Sequence, residues 1–137
     1  AKNFDTNYIF GIERSVFGST CWSCEKLANC LHNKSTITFI LEKSKEIIGY
    51  NIVTFVEREF EIIRLAVAHK YQSKGFGNAL LSFLLDQIPN NSSVFLDVKK
   101  SNTSGINPYK KNGFDIINIR YNYYQDGSDT LIMYFKN

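Results

Sequence analysis

Gln72, Gly75 and Gly77 stand in the pattern Gln-x-x-Gly-x-Gly, inside the run Tyr71-Gln72-Ser73-Lys74-Gly75-Phe76-Gly77-Asn78. The run follows an apolar stretch, Ile62-Ile63-Arg64-Leu65-Ala66-Val67, and opens a helical pattern through Ala79-Leu80-Leu81. Two glycines at a helix mouth let backbone N–H groups converge on an anion with no Cβ in the way. First-turn N–H groups lack partners within the helix, and the helix dipole adds partial positive charge there. The chemistry on offer is the holding of a phosphate by Gln72, Ser73, Lys74, Gly75, Phe76, Gly77 and Asn78. A Gly-x-Gly by itself also serves merely to permit a tight turn. The strand before it and the helix after it favour the cradle.

A second group is Cys21, Cys24 and Cys30, with His32 nearby. Cys21-Trp22-Ser23-Cys24 is formally a C-x-x-C. A redox pair of that kind should follow a strand of a βαβ unit, yet this one lies between two helical patterns. A zinc site would draw a second ligand pair from a distant segment, and none is present. Reduced thiols on a helix are expected, and no metal.

The elements that must position these residues follow from periodicity. Asp5-Thr6 predicts the cap of a helix over 7–17, with Tyr8, Ile12 and Val16 on one face. Ser23 predicts the cap of a second helix over 24–31. The β-branched and aromatic content of 36–41 predicts a strand, with Lys43-Ser44-Lys45-Glu46 as a turn. Residues 47–57 predict its antiparallel partner and 59–68 the next strand. The helix after the glycines runs to about Gln87, with Phe76, Leu80, Phe83 and Leu84 facing the core. Residues 93–99 predict a strand and 103–111 a short helix stopped by Asn112-Gly113. A final hairpin over 114–124 and 130–135 turns at Gln125-Asp126-Gly127-Ser128.

That order implies a mixed α/β sheet in a single domain spanning 1–137. The unit from 59 to 99 should be a parallel, right-handed crossover. Ligands in open α/β sheets bind beyond the carboxyl ends of parallel strands. Here those ends are Leu65-Ala66-Val67 and Asp97-Val98-Lys99. Splayed apart, they would offer backbone groups to an extended, amide-bearing ligand.

Further residues build a resemblance. Ile12-Glu13 with Phe17, Trp22-Ser23, Asp97-Val98-Lys99-Lys100-Ser101-Asn102, Tyr109 with Asn112-Gly113-Phe114, and Arg120-Tyr121-Asn122-Tyr123-Tyr124 stand in order along the chain, ahead of Asp129-Thr130-Leu131-Ile132-Met133. Together with the glycine loop they resemble the GCN5-related N-acetyltransferases (GNAT), and within them the RimI branch. The resemblance implies the GNAT fold: a mixed, mostly antiparallel sheet with a splayed parallel pair, the family's fourth and fifth strands, and helices on both faces. It also implies a strand ahead of the first helix, which is expected to be shortened or cut away here because the sequence starts close to that helix.

The same resemblance implies acetyl-CoA as co-substrate, its pyrophosphate on 72–78 and its pantetheine arm beside Leu65, Ala66 and Val67. Asn102 matches a position that contacts CoA, and could equally cap a helix. Asp97 stands where the family has its general base, usually a glutamate. Either Asp97 acts, directly or through water, or Glu61 on the neighbouring strand does, or Asp97 is only a solvated strand-end carboxylate. Tyr109 matches the general acid, with a core aromatic as the alternative. Pro108 before it departs from a regular helix and could re-aim the phenol. A backbone N–H near Val67 would hold the oxyanion.

RimI-type enzymes acetylate the N-terminal alanine of ribosomal small-subunit protein eighteen. The expected function is therefore protein N-terminal alanine acetylation by direct transfer, with a protein N-terminal peptide as partner. Two alternatives stand beside it: the same fold acting on a small amine or lysine side chain, and a CoA-binding module impaired in catalysis. Glu57, Glu59 and Glu61 alternate, which offers either a solvated face or an acidic groove for a basic peptide. His69 is expected to be a surface loop residue. A net charge of +3 over 137 residues argues for no nucleic-acid partner. No apolar run approaches the roughly 20 residues that cross a bilayer, and Ala1-Lys2-Asn3-Phe4-Asp5 shows no secretion signal, so a cytoplasmic protein without a membrane partner is expected.

Overall fold

The computed structural model describes residues 3–18, 22–72, 74–100, 103–123, 127 and 129–136. A helical pair comes first, α1 (Asn3–Phe17) and α2 (Cys24–Leu31). Helix α1 starts four residues before the expected position, so Asp5 and Thr6 fall in its opening turns instead of preceding them. The cap expected of Ser23 is made: its Oγ accepts the Lys26 N–H at 3.1 Å. Ile9, Ile12, Leu27 and Leu31 are buried against the sheet.

The strands are β1 (Thr36–Lys43), β2 (Glu46–Val56), β3 (Glu59–Val67), β4 (Ser93–Lys99), β5 (Asp115–Arg120) and β6 (Thr130–Lys136). They form a sheet in the order β1-β2-β3-β4-β6-β5. All neighbours are antiparallel except β3 and β4, which are parallel. Helix α3 (Phe76–Gln87) connects the parallel pair, and α4 (Thr103–Lys111) follows β4. The β1–β2 hairpin turns on Ser44 and Lys45, at φ 52° and 65°, the two left-handed positions that a tight two-residue turn demands.

Two expectations fail for local reasons. Glu57 sits at φ 56° in the turn between β2 and β3, so it does not continue the alternation of Glu59 and Glu61. Phe83 is 52% exposed. The face of α3 that meets the sheet carries Leu80, Leu81 and Leu84, and Phe83 lies beyond it, edge-on to Phe39 at 5.6 Å. The ring lies against the edge strand β1 without entering the core.

Two cores result, one on each face. The larger holds Val53, Ile62, Leu81, Leu84, Leu96, Tyr109, Phe114 and Met133 between the sheet and α3–α4. The smaller holds Ile9, Ile12, Leu27, Tyr50, Ile52 and Ala66 under α1 and α2. A bulge in β3 places the extra residue Ile63 between Ile62, opposite Val53, and Arg64, opposite Ile52. Because side chains alternate along a strand, the bulge reverses the facing of everything after it. Arg64 and Ala66 therefore share the α1–α2 face with Glu59 and Glu61.

Candidate active site

The parallel pair is joined only over Glu59–Ile62 and Ser93–Leu96. Beyond that, β3 continues to Val67 paired with β2 alone, and β4 continues to Lys99 paired with β6 alone. The two strands thus part at their carboxyl ends and leave a gap. Successive backbone groups point to opposite edges of a strand. The Ala68 N–H donates to Ile48 on the β2 side, so Ala66 turns the same way, and the backbone of Leu65 and Val67 faces the gap. On β4 the Lys100 N–H donates to the Asp129 carbonyl and the Val98 carbonyl accepts from Thr130 Oγ1 at 3.0 Å. Asp97 and Lys99 consequently turn their backbone to the gap. Of the three residues 65–67, Leu65 and Val67 offer main-chain groups there, while Ala66 fills the smaller core.

The glycine loop sits over the end of this gap. Gln72 Nε2 donates to the Val67 carbonyl at 2.9 Å, tying the loop to the strand end. Tyr71 and Phe76 meet edge-on at 6.0 Å, with the Lys43 ammonium over both rings at 5.7 and 5.4 Å. Gly75, at φ 87°, precedes α3 and occupies a left-handed conformation that side chains strain to adopt. A Cβ on Gly75 would meet nothing within 4 Å, and one on Gly77 only Val67 Cγ2 at 3.9 Å. The space above both glycines is open, as a backbone cradle for a pyrophosphate requires. Lys74 is exposed beside it. The Asn78 side chain is engaged elsewhere: its Oδ1 accepts from Asn112 Nδ2 at 2.6 Å, and Asn112 Nδ2 also donates to the Pro108 carbonyl at 2.7 Å. Asn78 thus ties the first turn of α3 to the end of α4. An open cleft of about 320 Å3 runs between them, lined by Gly75, Asn78, Asn107, Pro108 and Lys111. Ser73 and Asn102, expected at the cofactor, lie outside the described residues, as does Cys21.

Tyr109 stands on α4 with its ring in the larger core, 8% exposed and edge-on to Phe114 at 5.6 Å. Burial away from water pushes its phenol up to about 12, because a phenolate there would go unsolvated. The group holds its proton at any physiological pH. Pro108 lies inside α4 and leaves that helix unbroken.

On the other face, Glu61 neighbours Phe95 across the parallel register, and Asp97 follows two residues on. Period-two alternation puts Glu61, Phe95 and Asp97 on the α1–α2 side of the sheet. Both carboxylates are exposed. Phe95 packs on Tyr134 with ring centroids 4.9 Å apart, and the Tyr134 hydroxyl lies 3.2 Å from Ser93 Oγ. A shallow cleft of about 260 Å3 runs over Thr54, Val56, Glu59, Glu61 and Phe95. His69 is exposed at the far end of β3, with Nε2 2.6 Å from the Ser15 carbonyl, as a surface residue.

Sequence reasoning named Glu13, Phe17 and Trp22 only as carriers of the resemblance and gave the group beside this face no role. Glu13 is fully buried. Its carboxylate accepts from Arg64 Nη2 at 2.8 Å and Nε at 3.3 Å, from the Trp22 backbone N–H at 2.8 Å, and from the Tyr50 hydroxyl. The Arg64 guanidinium lies over the rings of Phe17 at 3.9 Å and Trp22 at 4.8 Å. A further signal was visible: Arg64 is the lone charge in Ile62-Ile63-Arg64-Leu65-Ala66-Val67.

The parted parallel strand pair with a glycine-rich helix mouth above the parting is the arrangement that the resemblance implied. Residues 8–114 match the acetyltransferase (GNAT) family, and the chain belongs to it; its members are acetyl-CoA-dependent acyltransferases. An N-alpha-acetyltransferase of Sulfurisphaera tokodaii is 32% identical over 111 residues, 69% of this chain and 66% of that protein, just under two thirds of its length. The [ribosomal protein bS18]-alanine N-acetyltransferase of Escherichia coli K12 is 32% identical over 117 residues, 82% of this chain and 78% of the relative. The crystal structure of the ribosomal-protein-S18-alanine N-acetyltransferase from Escherichia coli superposes with a TM-score of 0.89 at 28% identity, covering 99% of this chain and 90% of that one. No described helix is long and apolar enough to cross a membrane.

Proposed function

We propose that this chain is a single-domain protein N-terminal alanine acetyltransferase, working in the cytoplasm on the amino terminus of a ribosomal protein, with small-subunit protein eighteen as the expected acceptor. The observation that carries this reading is the gap between β3 and β4. One side of it opens to the glycine loop, and the other to a face bearing two exposed carboxylates. The relatives named for alanine N-acetylation support the choice of acceptor.

Acetyl-CoA would supply an acetyl thioester, with its pyrophosphate on the N–H groups of 73–78 and its amide-bearing arm along Leu65 and Val67. An α-amine has a reference pKa near 7.7–8.0 and is mostly protonated at neutral pH. Asp97 takes that proton, directly or through a water, with Glu61 as the other candidate base. The amine nitrogen then bonds to the acetyl carbon. The Val67 N–H, turned into the gap, stabilises the oxyanion that forms. Tyr109 serves the departing sulfur. A phenol near 12 is a weaker acid than a free thiol near 8.5, so Tyr109 acts by donating a hydrogen bond as charge builds on sulfur, and little proton moves until that charge is nearly complete. No covalent acyl-enzyme is involved.

The test is a panel of acceptors read by release of free CoA: peptides beginning with Ala, Ser, Leu or Phe, an N-blocked lysine peptide, and small amines. Ala and Ser termini should be fastest, since a small first residue fits beside the thioester. A preference for the lysine peptide over every free α-amine would move the substrate class. Binding of acetyl-CoA with no turnover of any acceptor would make the chain a CoA-binding module.

A further inference from the structure

Buried ion pairs are costly to desolvate and often stabilise no better than apolar side chains of the same volume. Glu13 and Arg64 are therefore a puzzle if their only task is to hold α1 on the sheet, where Ile9, Ile12, Leu27 and Leu31 already pack. What the pair has that apolar residues lack is direction. The Glu13 carboxylate accepts from groups on three separate segments: β2 through Tyr50, β3 through Arg64 and the α1–α2 connection through the Trp22 N–H. Arg64 adds a planar platform beneath Phe17 and Trp22, the residues that bracket that connection. Arg64 also stands on the acceptor face three residues beyond Glu61 and three before Val67, next to the bulge that sets its facing. A chain end that meets a base at Glu61 or Asp97 and reaches the gap at Val67 crosses the face that carries Arg64, whose guanidinium lies against Phe17 and Trp22.

We infer that the Glu13–Arg64 pair is a positioning device that fixes Phe17 and Trp22 as one wall of the acceptor site, so that its loss weakens acceptor binding selectively. This rests on the acceptor face assigned above. Neither residue touches a reacting atom; both act through Phe17 and Trp22.

Trp22 is the only tryptophan of the chain, so its fluorescence reports the wall directly. Acrylamide quenching of Trp22, acceptor KM, kcat and acetyl-CoA affinity should be measured for the parent, Glu13→Gln, Arg64→Lys, and the double change Glu13→Leu with Arg64→Leu. Glu13→Gln should increase quenching severalfold and raise acceptor KM about tenfold, the size expected from losing a charged hydrogen bond. Acetyl-CoA affinity should stay within about twofold. The double variant separates positioning from stability: it should regain thermal stability while acceptor KM remains high. Arg64→Lys keeps the charge but loses the fork and the stacking plane, and should fall between. A double variant with parental acceptor KM and parental quenching would overturn the inference. So would a rise in acceptor KM matched by an equal loss of acetyl-CoA affinity, which marks general loosening. If the parent prefers a different acceptor, the function proposed above fails on that result alone. The variant-to-parent ratios are then taken with the acceptor the parent uses, and quenching is read with none.

Discussion

In the function proposed above, the two sides of the sheet would solve recognition differently. The cofactor side is built from main chain. Its elements are the glycines before and within the first turn of α3, the parted edges at Leu65 and Val67, and side chains such as Gln72 and Asn112 that brace the loop. The proposed acceptor side would be built from side chains of separate segments: Glu13 from α1, Trp22 ahead of α2, Glu61 and Arg64 from β3, Asp97 from β4 and Tyr134 from β6. Main-chain recognition requires glycine at fixed spacing, and so it writes a local pattern. Side-chain recognition requires only that the fold bring distant residues together, and it writes none.

Tyr109 belongs to neither side alone, and removing its hydroxyl should produce the largest effect. Tyr109→Phe should lower kcat by about 10²-fold with acetyl-CoA affinity unchanged, as stopped-flow or single-turnover rates would show. Stability gives a second signature. The phenol is raised from 10 to about 12 in the folded protein, so between those values the unfolded chain ionises while the folded chain holds its proton. Folding stability should therefore be intact below pH 10 and decline as pH rises from 10 through 12, by about 3 kcal/mol in total. This part of the alkaline decline should be missing in Tyr109→Phe when urea melts are compared over that range.

The cofactor side should break by blocked approach, not by unfolding. A side chain at Gly77 meets only Val67 Cγ2 at 3.9 Å, so Gly77→Val should keep its melting temperature within a few degrees. Its acetyl-CoA affinity should still fall about tenfold or more, because the β-carbon branches stand where a phosphate must meet backbone N–H groups. Calorimetry against acetyl-CoA decides it; parental affinity would remove the cradle. A smaller effect is expected at the tie between helices. Asn112→Ala deletes two hydrogen bonds and should cost about 1–2 kcal/mol of stability, with kcat affected more than cofactor affinity, since the tie holds the helix that carries Tyr109.

The smallest effect is expected along the acidic face. Glu59 and Glu61 are exposed, so each favourable pair with an acceptor arginine contributes about 1 kcal/mol or less. Peptides with Arg in place of Ala a few residues from the terminus should gain modestly in kcat/KM at low salt and lose the gain at physiological ionic strength, where screening acts within about 8–10 Å. Equal rates at both salts would reduce the face to solvated surface.

The elements were legible because their patterns are local. Residues 93–99 and 103–111 were bounded from composition and breakers, and the observed strand and helix share those bounds. The parallel pairing followed from the strand–helix–strand unit, whereas the placing of β6 between β4 and β5 did not. What stayed hidden was set by non-local geometry. The bulge at Ile63 decides which face Arg64 takes, and nothing in Ile62-Ile63-Arg64-Leu65-Ala66-Val67 marks the extra residue. Glu57 escaped the strand because the hairpin turns there with a non-glycine residue at positive φ. Phe83 has the right helical spacing for the core but lies against the edge strand β1. Asn78 was expected at the cofactor from the motif alone, and its side chain is claimed by Asn112 from 34 residues away.

The most direct test of the central claim offers the chain one peptide that begins with alanine and carries an internal lysine. It is incubated with acetyl-CoA, and fragmentation mass spectrometry then locates the acetyl group. The predicted result is acetylation confined to the alanine α-amine, abolished by Tyr109→Phe together with Asp97→Asn. Acetyl on the lysine side chain alone, or none on the peptide while acetyl-CoA still binds, would contradict it.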